Sequence, residues 1–354
     1  MVASILQEFG LNDGEYSVQK FDSGLINKTW KVNTRSKSYI LQRINAHVFK
    51  KPENIDQNLG RLKKYLKRQF PDYLFVAPIA APDGRTLIES EEGYFRLFDF
   101  VSGSQTLSYV RTCDEACEAA RQFGKFSRLL SGFNADELAY SLPDFHNLTL
   151  RYEQFTEALA HASEERLEKA KAAIAFILRN ESIVQTYNKI LADQSVPHRV
   201  IHHDTKISNV LFDAGNKGLC VIDLDTVMPG FYISDTGDMM RTYLSPANEE
   251  ETDLSKVVIR KDFFKAIYKG YFSEMAVALN ETEKDLFIYS GEFIIYMQAI
   301  RFLTDYLNND VYYGARYPEH NLNRAMNQIT LLEKYMNLTS EFEEIIKTAY
   351  SEPA

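Results

Sequence analysis

The chain has 354 residues, 45% hydrophobic and 25% charged, a length and balance expected of a soluble globular protein with room for two lobes. Its net charge of −9 argues against a nucleic-acid or anionic-membrane surface, because phosphate backbones and acidic headgroups attract basic faces. A small phosphate ligand held by a metal ion and one or two local cations remains compatible with that charge.

The opening stretch MVASILQEFGLNDGEYS lacks a basic segment followed by a long apolar run, so no signal peptide is expected and a cytoplasmic location is. YSVQKF (16–21), TWKVNT (29–34) and YILQRI (39–44) are rich in β-formers and separated by the turn-rich DSGLINK and RSKS, which predicts three strands. After Pro52, Ile55, Leu59, Leu62 and Leu66 recur at helical spacing. RTLIES (85–90) and GYFRLFDFV (93–101) follow as two more strands, with PDG and EEG as turns. From about residue 114 the period becomes helical, over 114–131, 149–161, 163–192, 261–278, 284–308 and 320–335. The change near VSGSQT (101–106) predicts a boundary between a β-rich lobe of residues 1–101 and a larger, mostly helical lobe of residues 102–354. The most apolar segment, FIIYMQAIRFLTDYL, carries Gln298, Arg301 and Asp305 and reads as a buried helix, not a membrane span. Cys113, Cys117 and Cys220 make no even framework and are expected to be reduced packing residues.

Inside the helical half lies a β-like island, HHDTKISNVLFDAGNKGLCVIDLD (202–225). Two apolar runs, 209–212 and 219–223, flank the turn-rich DAGNKG, which is a hairpin signal. Folding it with Phe212 opposite Leu219 sets Val210 against Val221 and brings Asn209 next to Asp223 at the open end. His202, Asp204 and Lys206 lie on the loop feeding that end. An amide, at least two carboxylates and an ammonium group thus converge. Oxygen donors of this kind suit Mg²⁺, which keeps substrate phosphates in its remaining positions. The order also fits the kinase catalytic loop H-x-D-x-x-x-x-N followed by a metal-binding Asp. On that template Asp204 accepts the proton of the substrate hydroxyl, Asn209 and Asp223 hold Mg²⁺, Lys206 places its charge at the transferred phosphoryl group, and His202 fixes the loop. The plain alternative is a polar-ended surface hairpin with capping residues. A metallophosphohydrolase built on His203-Asp204 is a second alternative, and it wants that pair on a helix.

These residues resemble the aminoglycoside phosphotransferase and choline kinase superfamily, whose signature is the H-x-D-x-x-x-x-N loop and the following I-D-x-[DE] strand, here IDLD (222–225). Within it the chain is similar to the N-acetylhexosamine 1-kinases, through YILQRIN (39–45), HHDTKISNVLFD (202–213), VIDLDTVMPG (221–230), SDTGDMMR (234–241) and RFLTDYLNNDVYY (301–313). The resemblance implies an α+β, protein-kinase-like two-lobed fold with a small β-rich N-lobe and a larger helical C-lobe. It implies ATP and Mg²⁺ as cofactors and phosphate transfer to the anomeric hydroxyl of N-acetylglucosamine or N-acetylgalactosamine. A small sugar and ATP are then the expected partners of a monomer, with no nucleic acid and no membrane. The same fold acting on an aminoglycoside, choline or another alcohol is an alternative acceptor reading. A nucleotide binder without turnover is a third, and retention of Asp204 counts against it.

Two departures from the wider kinase pattern bear on the nucleotide. DSGLINK has one glycine, Gly24, so a phosphate cradle needs the backbone of 24–28 with Asn27 or Thr29. The third strand has no lysine, and either Gln42 or Arg43 takes the phosphate-facing place, since alternation lets only one point inward. Arg43 is preferred because a guanidinium binds phosphate by charge and paired hydrogen bonds; a solvent-facing strand arginine is the alternative. Its acidic partner on the next helix is Glu53 or Asp56. Asp99 and Val101, at the end of the fifth strand, are counted with the nucleotide-binding residues.

On the acceptor side Gln298, Arg301, Asp305 and Asn308 recur at spacings of three and four and share a helix face. Arg301 and Asp305 are expected to form an i,i+4 pair. With Tyr312 they offer planar hydrogen-bonding groups and an aromatic face of the kind sugars need; a solvated stripe is the alternative. Asp235 and Asp238 support the catalytic loop, cap a helix, or do both. Asp225 is a second metal-side ligand or, preferably, an acceptor behind the metal ligands.

Overall fold

The structure is a computed structural model that describes residues 2–12, 14, 16–21 and 26–351. In chain order it forms α1 (Val2–Glu8), β1 (Tyr16–Phe21), β2 (Lys28–Thr34), β3 (Ser38–Arg43), α2 (Pro52–Gln69), β4 (Ile88–Ser90), β5 (Gly93–Asp99), α3 (Cys113–Leu129), α4 (Leu148–His161), α5 (Glu164–Lys169), α6 (Lys171–Arg179) and α7 (Ser182–Ala192). Then follow β6 (Arg199–Ile201), β7 (Val210–Phe212), β8 (Gly218–Val221), β9 (Met228–Gly230), α8 (Ile233–Tyr243), α9 (Lys261–Met275), α10 (Glu281–Asp285), α11 (Phe287–Leu307), α12 (His320–Met336) and α13 (Thr339–Ser351).

The chain divides into two compact units. One comprises residues 1–106, 129–143 and 209–229; the other comprises 107–128, 144–208 and 230–354. The first holds a five-stranded antiparallel sheet in the order β1-β2-β3-β5-β4. Alternation puts Val32, Leu41, Phe95 and Leu97 on one face, where they pack with Ile5 and Leu6 of α1. α2 begins with Pro52 in its first turn, where a missing N–H costs nothing, and buries Ile55, Leu59, Leu62 and Leu66. Asn58 on the same helix is 1% exposed. It donates to the carbonyls of Ala139 and Val227 and accepts from Ala139 N, tying the helix to the segment that leaves the hairpin.

The second unit is built around α11, which buries residues on most of its circumference and packs against α4, α8 and α12. Gly237 lets α8 approach closely: a Cβ there would lie 2.1 Å from the Ser290 carbonyl oxygen. Among the described residues no helix is long and apolar enough to cross a membrane.

Helices α1 and α13 and the short strands β6 and β9 were not anticipated, and other elements differ from the sequence expectation for local reasons. The predicted helix 163–192 is three helices, because Ala170 (φ −89°, ψ 1°) and Asn180 (φ −103°, ψ 24°) leave helical geometry; the Asn180 side chain donates back to the Phe176 carbonyl. β5 ends at Asp99, two residues short of the predicted strand. Helix α8 was not anticipated at all: Ser234, Asp235, Thr236 and Asp238 are buried in it, so its polar residues hide the apolar period that marks a helix.

Candidate active site

In the sheet-bearing unit, β7 and β8 form the expected hairpin. Val210 pairs with Val221, and Ile222 N donates to the Asn209 carbonyl at 2.8 Å, so Asn209 lies opposite Ile222 and Asp223 follows one residue on, at the open end. The far end is corrected: a bulge between Leu211 and Phe212 pairs Phe212 with Gly218, not Leu219, and the extra residue is absorbed away from the polar end. Asn209 is buried. Asp223 sits in the left-handed region (φ 58°), which Asp tolerates better than most residues, and this turns the chain sharply out of β8.

Asp225 follows in a 3-10 turn (Leu224–Thr226) and is 3% exposed. Its carboxylate lies 2.6 Å from the Arg96 guanidinium and accepts from Asn27 Nδ2 at 2.7 Å; Asn27 Oδ1 in turn accepts from Asn45 N. Arg96 also donates to Gln42 Oε1 at 2.9 and 3.2 Å, and Gln42 Nε2 lies 3.4 Å from Thr29 Oγ1. Thr29, Gln42 and Arg96 are register partners across β2, β3 and β5. They form one cross-strand row on one face of the sheet. Arg43 is a register partner of Lys28 and Phe95 and belongs to the other face. Of the two candidates on β3, Gln42 therefore shares a face with Thr29 and Arg43 does not. Arg96, which sequence reading passed over, carries the cation of this row. Its signal was an arginine inside an apolar strand, at 3% exposure.

The other proposed nucleotide residues are more dispersed. Asp99 is an exposed strand-end carboxylate paired with Lys37 at 2.9 Å. The Val101 carbonyl accepts from Ser104 N and Oγ. Asp56 accepts from Thr86 Oγ1, and Arg43 forms no ion pair with it or with Glu53 among the described residues. Gly24 lies outside the described residues.

In the helical unit the loop 202–206 is held by α8. Asp235 accepts from His202 N (3.1 Å) and His203 N (2.7 Å). Asp238 accepts from Thr205 N (2.8 Å), and Tyr243 Oη donates to the Thr205 carbonyl (2.6 Å). Burial pushes the Asp235 carboxyl up to about 7, with the two backbone N–H groups opposing. Asp238 also pairs with Arg241 at 2.9 Å. The fully buried His202 ring packs edge-on against Phe123 and Phe126 and accepts weakly from Asp204 N at 3.4 Å. His203 takes a left-handed conformation (φ 66°). Its ring leaves so little room that a Cβ on Gly230 would lie 2.5 Å from Nε2. The His203-Asp204 pair is in an irregular loop, not the helix that the hydrolase alternative required. Lys206 Nζ lies 2.9 Å from Asp204 Oδ1. Burial works against its charge, but the carboxylates of Asp204 and Asp238 outweigh this and hold Lys206 above the ordinary lysine value.

The same unit contains a pocket of about 460 Å³, lined by α4 and α11 and including Arg301, Asp305 and Tyr312. The expected Arg301–Asp305 pair is not formed. The Asp305 carboxylate, 4% exposed, accepts from Tyr312 N (2.7 Å), Tyr313 N (2.9 Å) and Asn321 Nδ2 (3.0 Å). Backbone N–H groups satisfy a buried carboxylate without flexing a long side chain, so Asp305 holds the 310–313 turn. Arg301 instead donates to Gln298 and lies over the rings of Phe145 and Tyr313. The Tyr312 ring is largely exposed.

The sheet unit carries the Asn–Asp hairpin and the helical unit carries a clamped H-x-D loop, the two parts of a kinase-like phosphotransferase signature. Residues 17–256 match the phosphotransferase enzyme family, and the chain belongs to that family. The fold is similar to that of a microcompartment-associated aminopropanol kinase (17% identity, 96% of this chain and 97% of that one, TM-score 0.66). It is also similar to a spectinomycin phosphotransferase solved with ADP and spectinomycin (13%, 95% and 96%, 0.59) and to choline kinase from Cryptosporidium parvum (14%, 96% and 96%, 0.58).

Proposed function

We propose that the protein is an ATP- and Mg²⁺-dependent kinase that phosphorylates the anomeric hydroxyl of an N-acetylhexosamine. The observation that carries the reading is the clamped loop: three of its backbone N–H groups, those of His202, His203 and Thr205, are held by buried carboxylates of one helix. Such fixation suits a residue that must meet a hydroxyl in one geometry. Asp204 is then the base. The sugar oxygen bonds to the γ-phosphorus, the bond to the ADP oxygen breaks, and the hydroxyl proton passes to Asp204. Lys206 steadies charge at the transferred group.

Asn209 and Asp223 offer the hard oxygen donors that fit Mg²⁺, while Asp225 is engaged by Arg96 and Asn27 and supports them from behind. Bound Mg²⁺ would supply charge neutralisation at the phosphates. The ADP in the spectinomycin phosphotransferase structure supports the choice of nucleotide. Residues 1–101 form the nucleotide-binding lobe in this reading, with Asn27, Thr29 and Gln42 nearest the phosphates and the backbone around Asp99 and Val101 on the base side. Arg301 and Tyr312 face the sugar. An amino-alcohol acceptor, as in the aminopropanol kinase, would meet the guanidinium groups of Arg151 and Arg301 in the pocket, which disfavours a cationic acceptor.

The test is incubation with ATP, Mg²⁺ and single acceptors, followed by ³¹P NMR of the product. The candidates are both N-acetylhexosamines, their unacetylated parents, an aminoglycoside and choline. An anomeric phosphate formed with the N-acetylated sugars alone is expected. Transfer to a different acceptor, or to another hydroxyl, would overturn the assignment.

A further inference from the structure

The pocket between α4 and α11 contains two guanidinium groups, Arg151 and Arg301. Among the described residues neither is paired with a carboxylate. Arg151 donates to Gln154 Oε1 at 2.9 Å and to the Asp144 carbonyl at 2.8 Å. Its Nε is buried without a hydrogen-bond partner, as is Thr304 Oγ1 in the same lining. Arg301 makes one hydrogen bond, to Gln298 at 3.2 Å. Neither carboxylate of the lining pairs with these arginines: Asp305 is engaged by three other donors, and Glu157 is on the exposed rim.

Two like charges in one recess repel, and desolvation adds to the cost. Burial, and next the charge of Arg301, hold Arg151 below the ordinary arginine value. A chain with an excess of acidic residues that nonetheless keeps two unpaired arginines here has built a place for an anion. Planar guanidiniums recognise oxyanions through paired N–H donors. The volume suits a monosaccharide-sized group. The pocket also connects to the catalytic loop through rings: Arg301 lies 5.5 Å from the Phe145 centroid, and Phe145 and His146 both pack against His203.

We infer that this pocket receives an oxyanion, a carboxylate or sulfate, carried by the acceptor sugar away from its anomeric carbon. This rests on the sugar-kinase reading and adds to it a preference for acidic over neutral sugars.

Titration calorimetry on the intact protein would compare matched neutral and anionic pairs: N-acetylglucosamine with its 6-sulfate, and glucose with glucuronic acid. The expected result is at least a tenfold tighter Kd for one or both anionic members, with that preference lost in Arg151→Gln. The sulfate and carboxylate pairs identify which oxyanion is read. Equal affinities within both pairs, no binding of either anion, or a preference that survives Arg151→Gln would overturn the inference. Failure of the kinase reading shows separately, as absence of phosphate transfer to any of these sugars, because the within-pair ratio is a binding measurement.

Discussion

Arg96 on β5 and Asp225 in the turn after β8 face each other at 2.6 Å, both side chains 3% exposed. A pair so buried resists loss of either partner more than loss of both, since one uncompensated charge is left behind. Arg96→Met and Asp225→Asn should each lower unfolding free energy by about 3–5 kcal/mol, while the double variant should lose less than the sum. Urea unfolding of the four proteins checks this; strict additivity would mean that the two charges act independently.

Asp204→Asn should lower kcat by about a hundredfold or more, the scale of a lost general base, while ATP still binds. Single-turnover assays with calorimetry of ATP separate the two effects. Wild-type turnover in the variant would reassign the base.

Asp235 acts on the loop through two backbone N–H groups. Asp235→Ala strands two buried donors, each worth about 1–3 kcal/mol, so both stability and kcat should fall. Asp235→Asn keeps one acceptor and should lie between. The KM for ATP should barely move in either variant; a change confined to that KM would place Asp235 on the nucleotide side instead.

His146 is half-buried beside His203, and burial, then the charges of His203 and nearby arginines, hold its pKa well below the usual 6.5. The folded form stays neutral while the unfolded chain takes up a proton. Stability from this group is therefore complete above about pH 6.5 and declines as pH falls toward the depressed value, by up to about 1.4 kcal/mol per pH unit. His146→Phe, which preserves the stacking on Phe145, should flatten the slope of unfolding free energy between pH 7.5 and 5. An unchanged slope would show that His146 protonates in the folded protein.

Much of the β7–β8 hairpin was legible because its information is local. Asn209 and Asp223 are brought together by a short turn and period-two alternation, and the Val210–Val221 pairing follows from the residues between them. The helical spacing of α2 and α11 was legible for the same reason. The bulge at Phe212 was not, since it depends on backbone geometry and not on which residues are apolar.

The sequence by itself determined the family, the five strands of the first sheet, most of the helices, and the polar ends of one hairpin, because each is written in short-range periodicity and spacing. Only the tertiary structure decided which charges meet. Arg96 finds Asp225 through sheet register and the turn after β8. Asp305 turns from its helix neighbour Arg301 to the N–H groups of Tyr312 and Tyr313, and α8 buries four polar residues where a helix face should read as apolar. In each case the partner of a buried polar group is chosen by desolvation and geometry across distant segments, which adjacency in sequence does not encode.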